Sequence, residues 1–179
     1  MSAKSIYHRL VPYGVRAPLG LARRNVADRL RRAVVSTPLP PRELLAATQI
    51  TPWVDEYLTA GRRAALAIER VFDGAGLAAS ASARVLDFGA GPARVARHLT
   101  RTAWEIHACD WDERAVQWAT KALPRVHFTT IENAPPLPWP GETFDAAFAA
   151  TAFIRLGPAD RSAWADELAR VVRTGGLLA

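Results

Sequence analysis

The sequence predicts an α/β domain: one open, mostly parallel sheet of five strands with helices on both faces. Three observations predict it. From residue 83 onward, short apolar runs alternate with segments of helical pattern, the order that builds parallel strands through helical crossovers. The run Val85–Phe88 passes directly into Gly89, Ala90, Gly91 and Pro92, a junction of strand, turn and helix. The 179 residues, half of them hydrophobic, suffice for one domain with its own core, and no apolar run has the length of a membrane-spanning helix.

Taken in order, residues 1–40 read as a basic arm and residues 41–179 as the domain. Pro12, Gly14, Pro18 and Gly20 argue against a continuous helix over residues 1–20. Residues 21–35, LARRNVADRLRRAVV, have a helical pattern with Leu21, Val26, Leu30 and Val34 as a stripe and arginines on its flanks. Residues 36–41, STPLPP, form a linker. Of the net charge of +6, residues 1–47 carry +7, with nine Lys or Arg against Asp28 and Glu43. The rest of the chain is close to neutral, so the charge does not describe a nucleic-acid-binding domain. A basic amphipathic helix either packs its stripe on the domain, rests on an anionic membrane or acidic partner, or belongs to a cleaved targeting segment. No apolar region of secretory type follows the start.

Residues 42–49 read as a short helix. Thr51 and Pro52 read as the cap and first turn of a longer one, with Val54, Leu58, Ala65, Ile68 and Phe72 inward. A loop of small residues spans 74–82. The strand over 83–88 is followed by a helix that admits Pro92 in its first turn and buries Val95, Ala96 and Leu99. Strands are expected over 104–109, 125–129, 144–150 and from 177. Helices are expected over 113–122, capped by Asp112, and from Pro158 until Thr174, Gly175 and Gly176 end it, with Trp164, Leu168 and Val171 or Val172 inward. The prolines of PPLPWPGETFD, residues 135–145, hold an extended surface path.

Asp87 falls at the carboxyl end of the first strand, where open α/β sheets bind ligands. Gly89 and Gly91 allow a sharp turn and close ligand approach, and the helix start behind them offers N–H groups. The dinucleotide fingerprint G-x-G-x-x-G fails, because Arg94 occupies the third position. Asp87 itself would repel a phosphate and attract a cation. An adenosine carrying an amino acid, with an ammonium group and no phosphate, satisfies both conditions; that ligand is S-adenosyl-L-methionine. A plain tight turn is the alternative. Asp110, 23 residues after Asp87, closes the second strand where a ribose hydroxyl pair is held; otherwise it merely caps the next helix, a task Asp112 can perform. Trp111 is placed to lie along an adenine face, and Asn133 offers the donor and acceptor of an adenine edge. His8, His98, His107 and His127 lack metal-ligand spacing, so no metal is expected. The single cysteine, Cys109, sits inside a strand, excludes an internal disulfide, and suits a reducing compartment.

Four segments in order, VLDFGAGPARVARHL, HACDWDERAVQWA, NAPPLPWPGETFDAAFA and WADELARVVRTGG, resemble class I S-adenosylmethionine-dependent methyltransferases of the bacterial small-molecule type. The resemblance covers residues 41–179 and implies a Rossmann-like fold with S-adenosyl-L-methionine as cofactor. It implies that Asp87, Gly89 and Gly91 border the methionine part, in a cofactor-binding stretch that includes Phe88 and Ala90, that Asp110 holds the ribose, and that Asn133 and Ala134 flank the adenine. Tyr57 and Gly61 lie on the helix that closes over the cofactor in such proteins. Ala93 stands where many members have a third glycine. Arg155 stands where many carry a histidine; it cannot act as a base and suits an anionic group instead. No catalytic residue is assigned. Members of the family add two antiparallel strands after the fifth, so the fifth strand is expected as an apolar edge open to self-association. The expected activity is methyl transfer to a small molecule or a sugar- or lipid-linked metabolite, in the cytoplasm and near a membrane. The alternatives are a non-catalytic or truncated S-adenosylmethionine-binding protein needing a partner, and a nicotinamide-dependent oxidoreductase, which the failed fingerprint disfavours.

Overall fold

The computed structural model describes residues 13–48, 52–77 and 82–179. Five strands form one sheet: β1 Arg84–Phe88, β2 Glu105–Asp110, β3 His127–Thr130, β4 Phe144–Phe148 and β5 Val172–Leu178. Their order is β3-β2-β1-β4-β5, and every neighbouring pair is parallel. The helices are α1 Tyr13–Val34, α2 Arg42–Thr48, α3 Val54–Gly74, α4 Ala96–Leu99, α5 Glu113–Ala122 and α6 Pro158–Val171. A 3-10 turn, Ala152–Arg155, follows β4. The expected Rossmann-like α/β architecture is therefore present, with β1 in the middle.

Two apolar layers sandwich the sheet. On one face Ala65, Ile68 and Phe72 of α3, Ala96 and Leu99 of α4 and Ala119 of α5 meet Val85, Ile106, Ala108 and Phe148. On the other, Trp164, Leu168 and Val171 of α6 meet Leu86, Phe88, Phe144 and Ala147. The alternation along β1 divides its side chains between these layers, Val85 to the first and Leu86 and Phe88 to the second. Asp87 thereby points towards α4. The Phe88 ring packs on Trp164 at 4.8 Å between centroids, and burying a side chain of this size stabilises the fold by about 2–3 kcal/mol.

Several boundaries differ from the sequence reading, each for a local reason. The arm helix begins at Tyr13, not at residue 21, and runs through Pro18 and Gly20; a proline deletes one backbone hydrogen bond and the chain continues past it. Residues 1–12 lie outside the described residues, as does the Thr51 cap. Pro92 does not open a helix. Residues 91–95 are turns and regular helix starts only at Ala96, because Gly89, Gly91 and Ala93 all adopt positive φ (72°, 52° and 58°). The Thr174-Gly175-Gly176 turn does not precede β5 but interrupts it. β4 pairs with β5 at Phe144–Val172 and again at Ala146–Leu177, with a bulge between, and Gly175 takes φ 76°. The strand thus starts at Val172, directly after α6.

The arm stripe also faces the other way. Asp28 of α1 is buried, and its Oδ1 accepts the Val54 N–H at 2.8 Å, capping α3 from outside. Arg31 pairs with Asp55 at 2.9 Å and Arg24 with Glu56 at 3.6 Å. The guanidinium groups of Arg24 and Arg42 lie over the Trp53 ring, at 5.7 and 4.5 Å from its centroid. The polar face of α1 is therefore the docked one, while Val26, Leu30 and Val34 are exposed. Leu21, also exposed, lies seven residues before Asp28, so two helical turns place it on Asp28's side and not in that row. No described helix is long and apolar enough to cross a membrane.

Candidate functional site

The loops after β1, β2 and β3 open along one edge of the sheet, the carboxyl edge. Gly89 and Ala90 donate backbone N–H groups to the Cys109 carbonyl at 2.9 and 3.0 Å, and Ala93 donates to Ala90 at 3.1 Å. Gly91 donates to Asp110 Oδ2 at 2.6 Å. These N–H groups are turned onto β2 and inward, so the glycine loop presents no cradle of free donors for a pyrophosphate. That arrangement extends the argument against a dinucleotide.

Asp87 is 2% exposed and accepts a hydrogen bond from the Ala96 backbone, yet its Oδ2 has no hydrogen-bond partner. Burial lifts its pKa to about 7, against the opposing pull of the Arg94 guanidinium. A buried carboxyl oxygen lacking a donor suits an incoming ammonium group. Arg94, which displaces the fingerprint's third glycine, reaches from the loop to Thr151 Oγ1 at 3.4 Å and so lines the gap between β1 and β4.

Asp110, 6% exposed, spends one acceptor site of each oxygen on the backbone: Gly91 on Oδ2, and Asp112 on Oδ1 at 2.8 Å. An ionised carboxylate has about four acceptor sites, which leaves two for a hydroxyl pair. Burial raises its pKa, and the Arg155 charge counters this. The helix cap belongs to Asp112, whose Oδ1 accepts from Arg114 and Ala115. Asp110 is thus released from capping, as the sequence required of a ligand residue.

Trp111 is half-buried, with its ring edge-on to Phe88 at 6.3 Å. Phe88 itself is a core residue, its ring turned to Trp164 and away from the loop. Gly89 meets the 3-10 turn: a Cβ there would collide with the Ala152 side chain. Its lack of a side chain serves packing at this point, in addition to the φ of 72°. Ala90 is buried, whereas Asn133 and Ala134 are exposed.

Tyr57 and Gly61, assigned to a covering helix, act from α3 on the loop backbone. The Tyr57 hydroxyl donates to the Pro92 carbonyl at 2.7 Å and accepts from Arg97 at 3.0 Å. Burial raises its pKa, with Arg97 opposing. A Cβ on Gly61 would collide with the Arg94 carbonyl oxygen. These two residues shape the loop from behind. Sequence reasoning overlooked the matching support of the 131–143 loop. Glu167, buried on α6, accepts the Leu137 N–H at 2.6 Å and is gripped twice by Arg170, at 2.6 and 2.7 Å. Arg170 also donates to the Trp139 carbonyl at 2.9 Å. The i,i+3 pair was visible in the sequence, but its target, 30 residues away, was not.

His98, on α4, is half-buried, and its pKa falls to about 4 through burial and then the charges of Arg97, Arg62 and Arg101. Cys109 is buried, and burial pushes its thiol far up. Between α6, the 3-10 turn and the ends of β4 and β5 lies a cavity of about 380 Å³ lined by Phe148, Phe153, Leu168 and Leu178.

Residues 85–176 match the profile of the methyltransferase domain family, just over half of the chain. Among solved structures, the chain is similar to a protein provisionally described as an S-adenosyl-L-methionine-dependent methyltransferase from Methanococcus maripaludis. That match has 15% identity, covers 75% of this chain and 57% of the other, and has a TM-score of 0.57. It is also similar to the [4+2]-cyclase SpnF, with 28% identity over 62% of this chain and 43% of that one and a TM-score of 0.50. A provisionally described sarcosine dimethylglycine methyltransferase from Galdieria sulphuraria shares 17% identity over 62% and 43%, with a TM-score of 0.52. At 15% and 17% identity, two of these likenesses speak for the fold alone. The chain spans about half the length of the solved chains it matches. No curated protein matches it.

Proposed function

The chain belongs to the methyltransferase domain family, and from that premise we propose that it binds S-adenosyl-L-methionine at the carboxyl edge of the sheet and methylates a small molecule or a sugar- or lipid-linked metabolite. The observation that carries this reading is the unequal pair of acids at that edge. Asp87 holds a buried oxygen without a donor, which suits the ammonium group of the methionine part. Asp110 keeps two acceptor sites for the ribose hydroxyls. Trp111 and the loop bearing Asn133 and Ala134 stand on the side where the adenine would extend. Tyr57 and Gly61 position the loop, and Phe88 supports it from the core.

Asp87, Asp110 and the glycine loop would hold the cofactor, which would supply an electrophilic methyl group to an acceptor's lone pair, its sulfur keeping the electrons of the broken carbon–sulfur bond. The remaining work is alignment of the acceptor in line with that bond, in a site closed to water. Arg155, whose charge acts on Asp110, stands at the same edge and suits an acceptor carrying an anionic group. A hydroxyl acceptor would release its proton to a base that none of these residues supplies.

Calorimetric titration with S-adenosylmethionine and S-adenosylhomocysteine tests the reading, beside an Asp110→Ala variant. Saturable binding at a ratio of one, lost in the variant, is expected. A folded chain that binds neither compound would overturn the proposal. Binding without turnover to S-adenosylhomocysteine across an acceptor panel would favour the second reading, a cofactor-binding protein completed by a partner. The name of the SpnF relative also denotes cyclisation, and one fold hosts unrelated chemistries.

For location, the reading is a cytoplasmic protein resting α1 on an anionic membrane. The outward row of Val26, Leu30 and Val34, beside Arg23 and Arg29, supports it. Co-sedimentation with phosphatidylglycerol vesicles should fall on Leu30→Glu substitution. Equal sedimentation of both proteins would remove the membrane contact from the reading.

A further inference from the structure

At the amino end of β2, remote from the glycine loop, three potential ligands converge. Glu105 and His107 are two residues apart on β2 and so share a face. His127 of β3 is the register partner of His107. Glu105 Oε1 lies 2.8 Å from His107 Nε2 and 3.9 Å from His127 Nε2, and the three donor atoms all fall within 4.8 Å of one another. The imidazoles stack at 4.8 Å between centroids with their planes 29° apart. We propose that Glu105, His107 and His127 form a site for a divalent transition metal, of which Zn²⁺ is the representative, clamping edge strand β3 to β2.

The geometry needs little change. Zn²⁺ binds imidazole nitrogen and carboxylate oxygen at about 2.0–2.2 Å, so donors around a tetrahedral ion stand about 3.3–3.5 Å apart. Glu105 Oε1 stands closer than that to one imidazole nitrogen, at 2.8 Å, and wider than that from the other, at 3.9 Å, so side-chain rotation has to bring the three donors to the tetrahedral spacing. Two imidazoles with one carboxylate select zinc, nickel, copper or iron over magnesium and calcium. The site is walled on one side, where Trp139 and Phe144 meet the His107 ring edge-on at 6.3 and 5.3 Å. On the other it is open, since Glu105 and His127 are exposed, leaving room for water as the fourth ligand. One group opposes: the Arg84 guanidinium stands 3.8 Å from Glu105, and a bound cation would displace it outward.

The sequence concealed this site because its ligands are two and twenty residues apart and meet only through parallel pairing of β2 with β3. The clamp is independent of the cofactor reading, being at the other end of the strands.

The test is titration of the untagged chain with ZnCl₂ by calorimetry, paired with thermal unfolding with and without the metal. One saturable site is expected, together with a rise in Tm that grows with free Zn²⁺, as for any ligand of the folded state alone. His127→Ala, an exposed substitution, should abolish both signals while leaving the metal-free Tm and the circular dichroism spectrum unchanged. Glu105→Gln should weaken the affinity at least tenfold. Co²⁺ should bind with the visible absorption of a low-coordinate nitrogen–oxygen site. Absence of saturable binding, or binding and a Tm rise that survive in both variants, would overturn the proposal, and neither outcome bears on S-adenosylmethionine.

Discussion

The carboxyl ends of β1 and β2 carry the same sequence pattern, an acid near the close of a strand followed by a turn and a helix, and they fold in opposite ways. After β2 the chain behaves locally. Asp112 caps α5, the helix begins at Glu113 as the sequence indicates, and Asp110 Oδ1 accepts from Asp112 two residues on; only its Oδ2 reaches across the edge, to the Gly91 N–H. After β1 the chain is held by remote parts. Three positive φ angles delay the helix to Ala96, Tyr57 and Gly61 clamp the turn from α3, and Asp87 keeps an oxygen with no donor. An end shaped mostly by its own caps leaves both oxygens of its acid with a backbone donor, and only their spare acceptor sites for a ligand. An end shaped by tertiary contacts can hold an unsatisfied group ready for a ligand.

The largest expected break in this contrast is Asp87→Asn. Burial holds the Asp87 pKa near 7, so between about pH 4 and 7 the folded state keeps a proton that the unfolded chain has released. The unfolded state binds fewer protons there, and stability falls as pH rises through that window. The variant lacks this loss and should be more stable than the parent at pH 8 by an amount on the order of 3 kcal/mol, with little difference at pH 4. Urea unfolding at the two pH values checks it. An equal stability difference at both would show that Asp87 is not strained by burial. S-adenosylmethionine affinity should fall in the same variant, a gain in stability bought with function.

Gly61→Ala comes next. Alanine is the better helix former by about 1 kcal/mol, so an ordinary helical position would gain. Here the new Cβ meets the Arg94 carbonyl, and overpacking of this kind costs about 1–3 kcal/mol. Chemical denaturation should therefore show a net loss, with cofactor affinity falling as the loop moves. A stabilised variant would mean that α3 does not press on the loop.

At the β2 end, Asp112→Ala should cost about 1 kcal/mol as a lost cap and leave cofactor affinity within twofold. A large loss of affinity would place Asp112 in the site and undo the separation of cap from ligand residue.

The smallest effect sharpens the comparison through one chemical change made twice. Ala119→Gly, in regular α5, should cost about 1 kcal/mol of helix propensity plus a buried methyl group. Ala93→Gly removes a methyl at φ 58°, where relief of left-handed strain, about 1–2 kcal/mol, offsets the same losses. Near-neutrality at residue 93 beside a clear cost at 119, by calorimetric unfolding, is the expected pair. Equal costs would show that the first end is no more strained than the second.

Much of the β2 end could be read directly, because strand, cap and helix there depend on neighbours within four residues. Its separation of roles, Asp112 for the helix and Asp110 for a ligand, was likewise legible. At the β1 end the sequence showed the strand, the acid and the glycines, but placed Pro92 in a helix and gave Gly89 a turn and a ligand without its contact to the 3-10 turn. Ala152, 63 residues later, decides the space at Gly89. The reading of α1 failed for a similar reason: its apolar row looked like the docking face, yet ion pairs from α3 and the Asp28 cap claimed the opposite side.

By itself, then, the sequence determined the α/β order, the five strands, the core faces and the two acids at the carboxyl edge. Periodicity, capping residues and turn glycines act within a few residues and are written in the chain. Only the tertiary structure decided which acid is satisfied and which is left wanting, which face of α1 is free, and that Glu105 meets two histidines. Those outcomes depend on groups brought together across tens of residues, and neither the burial that sets the Asp87 pKa nor the β2–β3 register that stacks His107 on His127 has a local signature.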